Sequence, residues 1–217
     1  PIVALSALEN NVIDTKFKVK CTGKMELYGQ TFHCWKEKGH GWVSLKNAMK
    51  QSCDTYFYEV SRLLGVDRLN ITAEKFGLGK KVLGEYFDNE KKGLFPNTKW
   101  KKNNLGRGWV LGETLITGIG QGYIQSTPLQ LCMMTAQIAN GGYAIKPKII
   151  VDSNPISYED AKQSMESGLL FDSNSDSLLD KKLFKNKKNI KIVQEAMFAS
   201  TNERFGTSYK SRIDDPK

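Results

Sequence analysis

Gln51-Ser52-Cys53-Asp54-Thr55-Tyr56-Phe57-Tyr58 is the stretch on which the fold of this chain turns. A helix is expected from Asp54 to Leu64, where Gly65 ends it. Ser52, just ahead of that helix, has the chemistry of an N-cap. Upstream, Ser44 is expected to cap a helix through Leu45 and Met49, and Gly39-His40-Gly41 breaks the chain. Residues 12–35 read as extended, because Phe17, Val19 and Cys21 alternate with lysines. Tyr28-Gly29-Gln30-Thr31-Phe32 marks a hairpin turn within them. Pro1 to Asn11 has the pattern of the back half of a helix, with Val3, Leu5 and Leu8 near one face.

Downstream, Thr72 to Phe76 reads as a further helix, stopped by Gly77-Leu78-Gly79. Residues 80–109, rich in Gly, Asn, Lys and Trp, read as a long surface loop. Thr127-Pro128 starts a strong helix, with Thr127 as N-cap and Asn140-Gly141-Gly142 as its stop. Tyr143 to Val151 reads as a short strand, and the Ser- and Asp-rich residues 152–180 as an exposed connection. Ile190 to Ala199 is the last expected helix. Trp42, Trp100 and Trp109 are read as packing residues, and no tandem repeat is visible.

The 217 residues are 40% apolar and 25% charged, a globular balance that excludes a disordered chain. No run of 18 or more apolar residues occurs, so no stretch spans a bilayer by itself. Lys and Arg total 32 against 23 Asp and Glu, a net charge of +9. The densest basic cluster, Asp180 to Lys191, reads as the solvated start of a helix. No nucleic-acid signature accompanies it, so nucleic acid is not an expected partner.

Cys21, Cys34, His40 and Cys53 form a C-x12-C-x5-H-x12-C pattern. Three thiolates and one imidazole complete a tetrahedral shell for zinc, and a closed shell is structural rather than catalytic. Spacing leaves a second reading open, in which Cys21 and Cys34 form a cross-strand disulfide and Cys53 is a buried thiol. His33 adjoins Cys34 and on a strand faces the other way, which favours His40 as the ligand. Cys132 lies in an apolar helix and is expected in the core.

The Ser52-Cys53-Asp54 triplet resembles the second active-site motif, S-x-N or S-x-D, of the penicillin-binding transpeptidases, and more closely their elongation-type class B enzymes. Trp35-Lys36-Glu37-Lys38-Gly39-His40-Gly41 is similar to a W-x-x-x-G-H-G segment of that family, and Leu111-Gly112-Glu113-Thr114 to its P-G-D-T turn. Gly118-Ile119-Gly120-Gln121-Gly122-Tyr123 through Thr127-Pro128-Leu129-Gln130 resembles its I-G-Q-G-Y…T-P-L-Q stretch. Asn140-Gly141-Gly142 and Lys146-Pro147 follow in the same order, and Arg204 to Asp214 looks like the approach to the third motif. Residues 152–189 are the least alike and are expected to form an exposed insertion.

The resemblance implies an α+β fold, of which this chain would hold mainly the helical part and lack most of the central antiparallel sheet. It also implies serine acyl transfer on a peptidoglycan stem peptide, with β-lactams as inhibitors. The setting would be the periplasmic face of the bacterial inner membrane, beside a membrane-embedded glycosyltransferase of the elongation machinery. The family's nucleophile lies in S-x-x-K and its third motif is K-[ST]-G. Neither occurs here, so residues 1–217 look like a partial transpeptidase domain lying between those two motifs, inactive alone. Ser52 would relay a proton, and Asp54 would accept a hydrogen bond from the lysine or from substrate. The resemblance also favours structural zinc on Cys21, Cys34, His40 and Cys53, pinning the hairpin region 12–53 to the helix.

Overall fold

The computed structural model describes residues 1–84, 87–147 and 181–212. The expected connection 152–180 and the second half of the expected strand Tyr143–Val151 lie outside the described residues. The chain divides into two compact units. One comprises Pro1–Thr72, Pro96–Ile124 and Lys188–Lys217, and the other Ala73–Phe95 and Gln125–Lys187.

The first unit is built around α3 (Asp54–Leu64). Tyr56, Val60 and Leu64 recur four residues apart and are buried, and Tyr58 is buried on another side. Burying each such side chain contributes roughly 1.5–3 kcal/mol, so this face commits the helix to the centre. Packed on it are α1 (Ile2–Glu9) and α6 (Leu111–Gly118). α1 is buried over Val3–Leu8, and its one polar residue there, Ser6, donates to the Arg68 carbonyl at 3.1 Å. α3 also carries two small antiparallel pairs. β1 (Lys18–Cys21) runs beside β4 (Gly41–Ser44), with Cys21 opposite Gly41. β2 (Lys24–Leu27) and β3 (Gln30–His33) form a hairpin with Leu27 opposite Gln30.

The hairpin turn falls at Tyr28-Gly29, where the sequence places it. Both residues have positive φ (49° and 77°), the conformation that matches the twist of a two-residue hairpin. Its inner face delivers Phe32, which meets Tyr58 of α3 edge-on at 5.7 Å and packs with Leu115 of α6. Strand content among the described residues is limited to these short antiparallel pairs, within a helix-rich α+β fold. The extended region is therefore two separate pairs rather than one hairpin, because β1 takes β4 as its partner.

α2 (Leu45–Lys50) follows Ser44 as expected. Two elements exceed the sequence reading: α4 spans Val66–Lys75, starting directly after Gly65, and α8 spans Lys187–Asn202. Two more correct it. Within the expected loop 80–109, Thr98–Leu105 is a helix, α5, capped by the Asn97 side chain on the Trp100 amide at 2.7 Å. Leu111-Gly112-Glu113-Thr114, likened to a turn, opens a helix over Leu111–Gly118, where Glu113 accepts from the Val110 amide at 3.0 Å.

In the second unit, α7 (Pro128–Ala139) has the expected cap. Thr127 Oγ1 accepts from the Gln130 amide at 3.2 Å, while Gln130 Oε1 accepts from the Thr127 amide at 2.9 Å. Its buried face is partly polar. Gln130 donates to the carbonyls of Lys80 and Lys92, and Gln137 to that of Phe76. Gln137 thereby gives the carbonyl of the buried Phe76 a partner. Cys132, expected in the core, lies on the opposite face and is exposed. Tyr143 makes a single bridge to Lys182, and residues 144–147 form no strand. Within the expected exposed insertion 152–189, the lysines at 181, 182, 185, 187 and 188 are exposed, while Phe184 is buried against Phe76 at 5.2 Å.

Candidate functional site

The site lies in the first unit, where four segments meet the N-terminus of α3. Cys21 ends β1, Cys34 follows β3, His40 precedes β4, and Cys53 is the N-cap residue of α3. The two loops that carry Cys21, Cys34 and His40 touch backbone to backbone. A Cβ on Gly39 would lie 2.2 Å from the Cys21 carbonyl oxygen, and one on Gly23 would lie 1.9 Å from that of Glu37. Both glycines also have positive φ, so no side-chain-bearing residue fits either place without strain.

His40 Nδ1 stands 3.6 Å from the sulfur of Cys21 and 3.6 Å from that of Cys34. The four donor atoms lie within 4.8 Å of one another. A tetrahedral zinc ion with sulfur at about 2.3 Å and nitrogen at about 2.0–2.1 Å separates S and N by about 3.5–3.6 Å. The two sulfur–nitrogen separations thus match those of such a shell. All four cysteines are free thiols, so the Cys21–Cys34 disulfide reading does not describe this structure. His33 is exposed, on the face away from the cluster, and its carbonyl accepts from the Tyr58 hydroxyl at 3.0 Å.

The electrostatics suit a cation. Burial pushes the Cys21 thiol up, but the Thr55 hydroxyl, His40 and the amides of Gly23 and His40 outweigh it and bring the pKa to about 6. Burial pushes the Cys53 thiol far up, and repulsion from Cys21 and Cys34 adds to this despite the Tyr56 amide. Three neighbouring thiols cannot all ionise without a positive charge among them, which a bound divalent ion would supply. His40 Nε2 is buried and has no hydrogen-bond partner among the described residues, while the Trp35 indole packs edge-on against the ring at 5.5 Å.

Ser52 is exposed, directly beside the cluster. It is not the N-cap of α3, since Cys53 holds that position. Instead Ser52 adopts φ 51°, a left-handed backbone uncommon for a serine. Such strain costs of order 1–3 kcal/mol and persists only where the surroundings impose it. The restraints are the Cys53 amide on the Ala48 carbonyl at 2.9 Å and the hydroxyl contact of Ser52 with Thr207 at 2.8 Å. Asp54 begins α3, and its carboxylate accepts from the Trp35 amide at 2.9 Å. The Trp35 indole N–H donates to the Gln51 carbonyl at 3.0 Å. The W-x-x-x-G-H-G loop is thereby fastened to both sides of the Ser52 triplet.

The sequence reading missed three participants. Trp35 was part of a motif with no assigned contact, Thr55 lies 3.3 Å from the Cys21 sulfur, and Thr207 is 155 positions from Ser52. No local signal marks such contacts, because each depends on segments brought together only by folding. Trp100 and Trp109 pack against Tyr123 as expected, whereas Trp42 is 68% exposed on β4.

Residues 1–215 match the model of the penicillin binding protein transpeptidase domain, and the chain belongs to that family. It is 38% identical over 152 residues to the peptidoglycan D,D-transpeptidase MrdA of Acinetobacter baumannii, a match covering 69% of this chain and 22% of that protein. Among solved structures it is similar to PBP2 of Pseudomonas aeruginosa in complex with WCK 5153, with a TM-score of 0.79 and 35% identity over 97% of this chain and 44% of that one. PBP2 of Helicobacter pylori in complex with MreC is likewise similar, with a TM-score of 0.77 and 29% identity over 97% of this chain and 35% of that one.

Proposed function

We propose that the protein to which this chain belongs is a peptidoglycan D,D-transpeptidase of the elongation type. The observation that carries this reading is Ser52, an exposed hydroxyl on strained backbone, held in place beside a Cys3His cluster. A serine of the S-x-x-K motif, supplied by residues other than these 217, attacks the carbonyl of the penultimate D-alanine of a stem peptide. D-Alanine leaves, and an amine of a neighbouring strand resolves the acyl-enzyme to give the cross-link. Ser52 carries a proton between the motif lysine and the leaving or attacking amine. The bond from the Trp35 amide aligns the Asp54 carboxylate, whose remaining acceptor capacity serves the lysine or the substrate.

Cys21, Cys34, His40 and Cys53 hold structural zinc in this reading. The support is the donor spacing and the need of three neighbouring thiols for a countercharge. Four protein ligands would leave a bound metal no open position for substrate, and Cys53 among them would fix Ser52 and Asp54 on either side.

The same reading gives the protein β-lactams as inhibitors and the peptidoglycan stem peptide as substrate. Its place is the periplasmic face of the inner membrane. The similarity to a PBP2 solved with MreC supports partnership with the elongation machinery. A membrane-embedded glycosyltransferase is the further partner in this reading. No helix among the described residues is long and apolar enough to cross a membrane.

Labelled penicillin tests the reading. The full-length protein is expected to form a stable covalent adduct, the Ser52→Ala variant to form it roughly 10²- to 10³-fold more slowly, and the 217-residue chain alone to form none. Equal acylation by wild type and Ser52→Ala defeats the role of Ser52. Rapid hydrolysis of the penicillin by the full-length protein points instead to a β-lactamase of the same fold.

A further inference from the structure

We infer that Thr207 is a positioning residue for Ser52, orienting its hydroxyl through a chain of hydroxyls that begins at Ser200. The inference rests on the transpeptidase reading and extends it to a residue outside the second motif. Ser52 Oγ and Thr207 Oγ1 are 2.8 Å apart, and Ser200 Oγ lies 3.3 Å from Thr207 Oγ1. Each hydroxyl has one proton and can accept two hydrogen bonds. With Ser200 donating to Thr207 and Thr207 donating to Ser52, the Ser52 proton stays available for another partner. The competing acceptor for Thr207, the Lys50 carbonyl, is farther away at 3.5 Å.

The backbone is arranged to hold this contact. The Thr207 amide donates to the Lys50 carbonyl at 3.0 Å, and the Ser208 amide to that of Ser200 at 3.2 Å. Just before Thr207 the chain folds back on α8 at Gly206, where a Cβ would stand 2.2 Å from the Ser200 carbonyl oxygen. Glu203, the residue after α8, takes ion pairs from Lys46 at 2.7 Å and Lys50 at 2.8 Å, which tie that end to α2. Four interactions thus deliver one hydroxyl to Ser52. An exposed serine without that partner would sample its staggered rotamers freely.

The test uses the full-length protein and its rate of acylation by labelled penicillin. Thr207→Val keeps the side-chain shape and removes the hydroxyl. It is expected to slow acylation roughly ten- to a hundredfold, as loss of alignment does, with the melting temperature unchanged. Thr207→Ser is expected to restore most of the rate. Because Thr207 acts through Ser52, the double variant Ser52→Ala/Thr207→Val should be no slower than Ser52→Ala alone. The inference is overturned if Thr207→Val acylates at the wild-type rate while Ser52→Ala is impaired. It is overturned equally if the two losses multiply in the double variant. A wild-type protein that forms no adduct overturns the transpeptidase reading, and this inference with it.

Discussion

Gly39 and Gly23 decide the geometry of the Cys3His cluster although neither offers a ligand atom. Each lies against the carbonyl of the opposing loop, closer than any Cβ permits. Gly39→Ala would add overlap with the Cys21 carbonyl to strain at φ 73°. It is expected to cost about 2–4 kcal/mol and to lower the metal content of the purified protein. Urea unfolding and elemental analysis measure both, and a wild-type midpoint would contradict the close loop contact. The ligand types were legible as residues, because three cysteines and a histidine are an unusual set in one short span. Their orientation was not legible, since it depends on two loops meeting across Gly23 and Gly39. Ser52 shows the same division. Its motif is visible in sequence, but its left-handed φ and its contact with Thr207 are not.

At the scale of elements, α5 shows why a polar stretch can be missed. Thr98–Leu105 carries no apolar stripe, so its hydrophobic pattern is that of a loop. What anchors it is Lys101, which is 5% exposed and pairs with Glu113 of α6 beside the Trp109 ring. Asn97 before it and Gly106 after it, left-handed at φ 65°, are cap signals that were readable. Lys101→Met is expected to cost about 2–3 kcal/mol, below the 3–5 kcal/mol of a fully buried pair because Glu113 is partly exposed. Burial pushes the Glu113 carboxyl up, but Lys101, the Val110 amide and the Tyr123 hydroxyl outweigh it and hold it below its ordinary 4.5. A carboxyl lowered on folding contributes stability that is present above about pH 4.5 and lost as pH falls through its folded value. Chemical unfolding between pH 7 and 3 should show that loss in wild type and a smaller one in Glu113→Gln. Parallel pH curves for the two proteins would refute the pairing.

Over the whole molecule, the cluster draws its ligands from β1, the end of β3, the start of β4 and the cap of α3, the helix on which the first unit is packed. With zinc there, metal binding is folding free energy. The purified protein is expected to contain about one zinc per chain, and chelation to lower its melting temperature by about 10 °C, equivalent to roughly 3 kcal/mol. Cys34→Ser should show the lower value from the start and respond no further to chelator. A metal-free wild type that is indifferent to chelator removes zinc from the reading.

The sequence by itself determined the helices that combine an apolar stripe with a cap or stop. It also determined the hairpin turn, the order of the family segments and the residue types of the cluster and of the Ser52 triplet. These follow from local rules, since φ preference, capping and periodicity act over a few residues. Only the tertiary structure decided that β1 pairs with β4, that α5 is a helix, that Cys132 faces out while two glutamines face in, and that Thr207 meets Ser52. The reason is that these outcomes depend on contacts between residues tens to more than a hundred positions apart, which no rule acting over a few residues can link.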